Sequence, residues 1–372
     1  MIYPATHARK LEGWLGPQEV ERISLACKDW YGPPIALASV PGNVRVTRGG
    51  DFVGPIDAGS IANLVDHRVA LARRAFARWS KRQRRTAAMA GFASLSDLIS
   101  EATAGGKKRG FQFNKVGVTG AATATSSLWR QGTLPAAGGA ASAAPGGDAL
   151  VDSSTGAFPF ANPTGGDTQH LVRADFLGTV APNTLLLYDR IFQVAKTMSS
   201  VATEAVTGVP TRYQNTVQGS VDSAEGNFLF PEIQATLGAT AHNWTVCQYK
   251  DQSGNAAENL PSFAGINAGV NARLDFNIQQ WFAPLTGTDT GVQKLTQMQC
   301  DASVTGTLAF VIGHPIAFFP VPIANLMFIY DGINSAFNLT RIFDDAALAF
   351  LEIAKPASTA TIYNGQFESV AG

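Results

Sequence analysis

Histidines, cysteines and a few closely spaced charges are the residues of this 372-residue chain with the most capacity for chemistry. The histidines are His7, His67, His170, His242 and His314, and no two share a motif. Zinc hydrolysis would need HExxH, phosphate chemistry a GxxxxGK[ST] loop, and acyl transfer a GxSxG elbow. None is present, and neither is an EF-hand loop. Cys27, Cys247 and Cys300 form no CxxC pair, so a zinc or dithiol site is not supported. Cys247 and Cys300 fall in strand-like runs, where a cysteine usually packs as a small apolar residue and a Cys247–Cys300 bridge is the minority alternative. His314, before Pro315, reads as structural or solvent-facing rather than as a ligand. The most enzyme-like charges are Asp175, Asp189 and Arg190, flanking the apolar run Leu185–Tyr188. Their plainer reading is ion pairs that fix strand ends or a subunit contact. Asp344–Asp345 suits a cation, but caps the following AALAFLEIA more naturally if that run is helical. No catalytic residue, metal or cofactor is therefore expected.

One charged feature stands out. Arg68, Arg73, Arg74, Arg78, Lys81, Arg82, Arg84 and Arg85 place eight cations in eighteen residues with no acid among them. On a helix over 60–87 they repel one another unless an acidic partner faces them. Residues 1–88 hold 14 Lys+Arg against 7 Asp+Glu, which leaves 14 against 21 for the rest. The partner expected is therefore an acidic protein surface, with non-specific contact to DNA phosphates as the alternative.

The elements that must carry these residues read as mainly β. Residues 1–59 are broken by Pro33–Pro34, Pro41–Gly42, Gly49–Gly50 and Pro55, as in an arm that lies on something else. A basic helical segment fills 60–103, with Ser60 as its cap and a short second helix or turn at 89–102. Residues 104–169 form a Gly/Ala-rich extended loop region, strand-like at 111–130 and linker-like at 132–168. Strands are expected at 184–194, 227–237, 242–250, 273–282, 292–301 and 305–313, giving an antiparallel, jelly-roll-like β-sandwich over 170–320. Residues 321–372 are expected to mix helix, at 322–354, with a last strand at 359–369. The run Pro315–Ile323 is not expected to be a regular central strand, because its prolines remove ladder donors, and such an apolar, proline-broken segment is often buried under another domain or subunit.

Composition adds limits. Charged residues are 15% and apolar residues 45%, with 37 glycines, which excludes a disordered chain. No run reaches the eighteen or so apolar residues of a membrane span, and MIYPATHARKLEGW lacks a signal-peptide core. Synthesis in a reducing cytoplasm, with no membrane partner, is the expectation.

From Met89 onward the chain resembles a family of tailed-phage virion structural proteins. The likeness rests on Phe92–Ala93–Ser94–Leu95–Ser96–Asp97–Leu98–Ile99 and Ser127–Leu128–Trp129. It continues in Gly156–Ala157–Phe158–Pro159–Phe160–Ala161–Asn162–Pro163, Leu185–Leu186–Leu187–Tyr188–Asp189–Arg190 and Asp289–Thr290–Gly291–Val292–Gln293. The resemblance implies a structural protein of the head, located in the capsid, whose partners are its own copies and other capsid proteins. It brings no catalytic residue. Within that role, a decoration or cement protein is the first expectation. A major capsid subunit is the second, and a tail or receptor-binding protein the third.

Overall fold

The computed structural model describes residues 46–48, 51–53, 92, 94–103, 106–119, 124–200, 202–255, 258–277, 280–333, 339–353 and 359–372. The chain divides into two units between Arg85 and Thr86. Of the first, the described part is a ribbon of β1 (Val46–Arg48) and β2 (Asp51–Val53), paired antiparallel. The expected helix over 60–87 and most of the expected arm lie outside the described residues.

The second unit is a mainly β, antiparallel sandwich, as the sequence leads one to expect. Its described helix, α1 (Leu95–Thr103), starts where Ser94 Oγ accepts the Asp97 amide at 3.1 Å, the ordinary N-cap bond. The other elements are strands in three sheets. The central sheet runs β4 (Ser126–Ser127), β17 (Leu348–Ile353), β7 (Asn183–Lys196), β14 (Thr307–Val321), β9 (Phe228–Ala235), with β5 (Asp148–Ala149) also beside β7. A second sheet runs β15 (Phe328–Asp331), β6 (Gln169–Gly178), β18 (Ile362–Ala371), β3 (Lys108–Val116), with β16 (Thr340–Ile342) also on β6. The third runs β11 (Glu258–Asn259), β10 (Asn243–Asp251), β13 (Val292–Cys300), β8 (Glu204–Ala205), with β12 (Phe263–Ala264) also on β10.

The period of two explains how one sheet serves two cores. Alternate side chains of a strand leave opposite faces. Leu185, Leu187, Leu348 and Phe350 enter a core shared with Phe113, Phe176 and Phe367 of the second sheet. Leu186, Tyr188, Ala349 and Leu351 enter a core shared with Trp244, Tyr249, Leu295 and Met298 of the third. With both faces covered, Leu185–Tyr188 of β7 and Leu348–Leu351 of β17 read as continuous apolar runs. That is why 322–354 looked helical: a short apolar run does not declare its period. The structure corrects this reading. The described part of 321–372 consists of β15 to β18 and their connections, and β17 and β18 are built into the sheets of the 170–320 sandwich.

Two further expectations change. Of the strand expected at 273–282, the described residues make only bridges, Arg273 with Ser126 and Leu274 with Glu232. These join the two outer strands of the central sheet, β4 and β9, and nearly close it into a barrel. The tract 132–168 is not a linker. Gly138 donates its amide to Trp129 O at 2.7 Å, and a Cβ there would meet the Trp129 ring at 2.1 Å. Phe158 and Phe160 are buried. Small residues are needed so that this irregular chain can lie directly on the sandwich. The prolines of 315–323 keep β14 from being a regular central strand there, as expected, without ending it: β14 stays paired with β7 from Leu308–Lys196 to Val321–Asn183. A register shift between Pro315 and Ala317 absorbs the first proline. β9 stops opposite Gly313, so beyond it β14 has a ladder on one side only. Proline is tolerated at bulges and on such open edges.

Candidate functional site

The eight predicted contact residues, Arg68, Arg73, Arg74, Arg78, Lys81, Arg82, Arg84 and Arg85, lie outside the described residues, as do His7, His67 and Cys27. The remaining chemical candidates can be placed one by one.

Asp189 and Arg190 are fully buried neighbours on β7, and each has its own partner. The Arg212 fork donates to Asp189 from Nη2 at 2.7 Å and from Nε at 2.9 Å, and the Ala347 amide adds a third bond at 2.9 Å. Arg190 donates to both Glu232 oxygens, at 2.8 and 3.0 Å, and to Gln193 Oε1, and its guanidinium lies 5.0 Å from the Trp129 ring centroid. Asp175 accepts from Arg173 Nε at 2.8 Å and from Gln366 at 3.1 Å. All three are engaged in ion pairs within the fold. Sequence could not name Arg212 or Glu232, because they lie 23 and 42 residues away and belong to other segments.

The histidines divide by environment. His314 stacks on Tyr213 with centroids 3.9 Å apart, and its Nδ1 lies 2.9 Å from Asn227 Oδ1. Burial pushes His314 down to about 4, and burial, with Arg341 nearby, pushes His170 to about 4. Both are neutral rings inside the fold. His242 differs: its Nε2 lies 3.1 Å from the Asp275 carboxylate and its Nδ1 lies 3.2 Å from Thr240 O. Despite burial, which opposes the charge, Asp275 raises His242 above its ordinary value.

Cys247 and Cys300 are buried and unbridged; on β10 and β13 they sit opposite Met298 and Trp244 respectively. Burial raises both thiols, which makes them poor nucleophiles. Asp345 does not cap a helix. Its amide donates to Asn162 Oδ1 at 2.8 Å and its carboxylate accepts from Asn162 Nδ2 at 2.6 Å, which fixes the turn into β17.

A carboxylate trio escaped sequence reasoning. Oxygens of Asp251, Glu258 and Asp289 lie within 4.8 Å of one another. Hard cations take such oxygen sets, but Asp251 already accepts the Ser253 and Asn255 amides and Asn255 Nδ2. Tyr249 donates its hydroxyl to Asp289. A hydrogen bond with Asp289 raises the Glu258 carboxyl above its ordinary value. These oxygens are mostly committed to the protein's own donors. The spacing of 251, 258 and 289 matches no motif.

The most distinctive surface is apolar. Of twelve exposed large apolar side chains among the described residues, five fall in one short stretch: Phe318, Ile323, Leu326, Met327 and Ile329. No charged residue occurs between His314 and Asp331. Along β14 the parity is plain: Ala317, Phe319 and Val321 are buried, while Phe318 and Pro320 are exposed. Phe318 meets Trp281 at 5.6 Å, and Trp281 meets the exposed Phe282 at 4.5 Å. The sequence placed an apolar contact in 315–323. The structure buries half of that segment against its own chain and leaves the other half facing out.

No family model matches the chain, and no curated protein does. Among solved structures, the chain aligns with that of infectious bursal disease virus, Gx strain, at 8% identity, over 72% of this chain and 79% of the other, with a TM-score of 0.15. The Gt strain gives 7% identity, 74% and 86% coverage, and a TM-score of 0.15. That score does not amount to a shared fold, and the architecture above rests on this chain alone.

Proposed function

We propose that this chain is a non-enzymatic structural subunit of a viral particle, specifically a decoration or cement protein of a tailed-phage head. The observation that carries the reading is the uncharged stretch from Phe318 to Ile329, with its five exposed large apolar side chains. Exposed apolar side chains gathered in one stretch of a well-packed sandwich are suited to protein contacts. The ionisable side chains of Asp189, Arg190, Arg212 and Glu232 are spent on internal pairs, which leaves little for catalysis. The charge imbalance between 1–88 and 89–372 adds a means of docking. In this reading the basic run 68–85 meets an acidic neighbour, either another copy or another capsid protein, with packaged DNA as the alternative.

Copy number per purified particle, counted by quantitative mass spectrometry, tests the proposal. A number equal to the lattice positions of the shell supports a stoichiometric head protein. A handful of copies overturns it in favour of the tail. Isolated particles that contain none of the chain overturn the virion role altogether.

A further inference from the structure

Asp275 holds together three stretches of chain. Its carboxylate accepts from His242 Nε2 at 3.1 and 3.3 Å, from Trp244 Nε1 at 2.8 Å and from the Ile266 amide at 2.8 Å. Its own amide donates to Pro231 O of β9 at 2.9 Å. Asp275 thus ends the same segment, 272–275, whose bridges join β4 to β9. The site is tight: a Cβ on Gly265 would sit 1.9 Å from His242 Nε2 and 2.7 Å from Asp275 Oδ1. Both Asp275 and His242 are buried, and a pocket of about 380 Å³ lined by His242, Asn243, Gly265 and Ile266 gives water a route to the spot.

The two ring nitrogens of His242 both face acceptors: the Thr240 carbonyl on one side and the Asp275 carboxylate on the other. Only the imidazolium donates to both. A neutral ring with its proton on Nδ1 turns a lone pair toward the carboxylate. With its proton on Nε2 it leaves the Thr240 carbonyl without that donor. Either way a buried carboxylate loses its cation, which is costly.

We propose that the His242–Asp275 contact is a pH-operated clamp on the closure of the central sheet, held while the ring carries two protons and released when it loses one. The charged and titratable groups around it act in a consistent way. Asp301, at the end of β13, accepts from Asn243 and favours the imidazolium. Arg273, on the closing segment, feels the Asp275 charge. The buried Cys300 thiol stays protonated because burial raises it. The sign follows from linkage. His242 sits above its unfolded value, so its contribution is complete below about pH 6.5 and is lost as pH rises through the folded value.

The test uses the full-length chain. His242 is followed by NMR from pH 5.5 to 9, and amide protection, corrected for intrinsic exchange, is measured for Ile266 and Leu274 against Phe310. The expected result is a His242 midpoint above about 6.5 and an approximately tenfold loss of protection at Ile266 and Leu274 by pH 9, with Phe310 unchanged. His242→Gln should show the low protection already at pH 6.5 and no further pH dependence. Asp301→Asn should lower the midpoint while the clamp still closes. A midpoint at or below about 6.5, or protection at Ile266 and Leu274 constant relative to Phe310, overturns the proposal. If His242→Gln fails to fold, the titration of the native chain decides alone.

Discussion

The two halves of β14 are one strand with two fates. From Thr307 to Gly313 it has β7 on one side and β9 on the other, and Leu308 to Ile312 are fully buried. From His314 to Val321 only β7 remains, prolines occupy 315 and 320, and Phe318 is 48% exposed. The difference shows that a strand needs no change of conformation to pass from core to surface. It needs only the loss of a neighbour. Where the neighbour ends, proline removes donors from the open edge and so discourages another strand from adding there. An apolar face without an available ladder is suited to side-chain docking, not to sheet extension.

Substitutions should divide along the same line. Glu232→Ala, beside the first half, leaves Arg190 buried without its carboxylate, and unfolding in denaturant should show a loss of about 3–5 kcal/mol. Phe310→Ala should cost a similar, slightly smaller amount, about 3–4 kcal/mol, by opening a cavity against Trp244. The junction residue His314 should give acid sensitivity. Its folded value, about 4, lies below the unfolded one, so its contribution is present above about pH 6.5 and is lost as pH falls toward 4. Thermal melts should show lower stability over that window, and His314→Phe, which keeps a ring on Tyr213, should reduce the slope. Phe318→Asp should change stability by less than about 1 kcal/mol yet remove the chain from particles, as read by co-sedimentation. If it unfolds the chain as Phe310→Ala does, the two halves are not distinct. Pro320→Thr should have the smallest effect on stability, but light scattering should reveal increased self-association as the edge regains a donor.

Much of the fold was legible in the sequence where only one chemical signal spoke. KLTQMQC and TLAFVIG declare strands by alternation and β-branching, and both are strands. Ser253–Gly254–Asn255, after WTVCQYK, is a turn signal, and the chain does turn there: the Gly254 amide donates to Asp251 O at 3.1 Å, with Gly254 at φ +81. Signals failed where two meanings share one pattern. AALAFLEIA is apolar on both faces because two cores take its alternate residues, so its period was hidden. Pro315 and Pro320 look like breakers until one knows that β9 ends at Gly313. The site was less legible than the fold. The pairing of Asp189 with Arg212, and of His242 with Asp275, depends on loop closures over 23 and 33 residues that no local pattern encodes. Exposed apolar side chains do occur in the apolar, proline-broken segment that the sequence singles out. Which half faces outward was set by a neighbouring strand.

β18 lies between β6 and β3, so Ile362–Ala371 fills the middle of a sheet whose edge strand begins at Lys108. Lys108 waits for Val370, and Val116 for Ile362. During synthesis, β3 therefore emerges long before its partner exists, and this sheet forms only after β18 has been made. A chain that stops before Ile362 lacks the strand that links two others. Its sheet comes apart instead of losing an edge, so such a product is marked by its own topology.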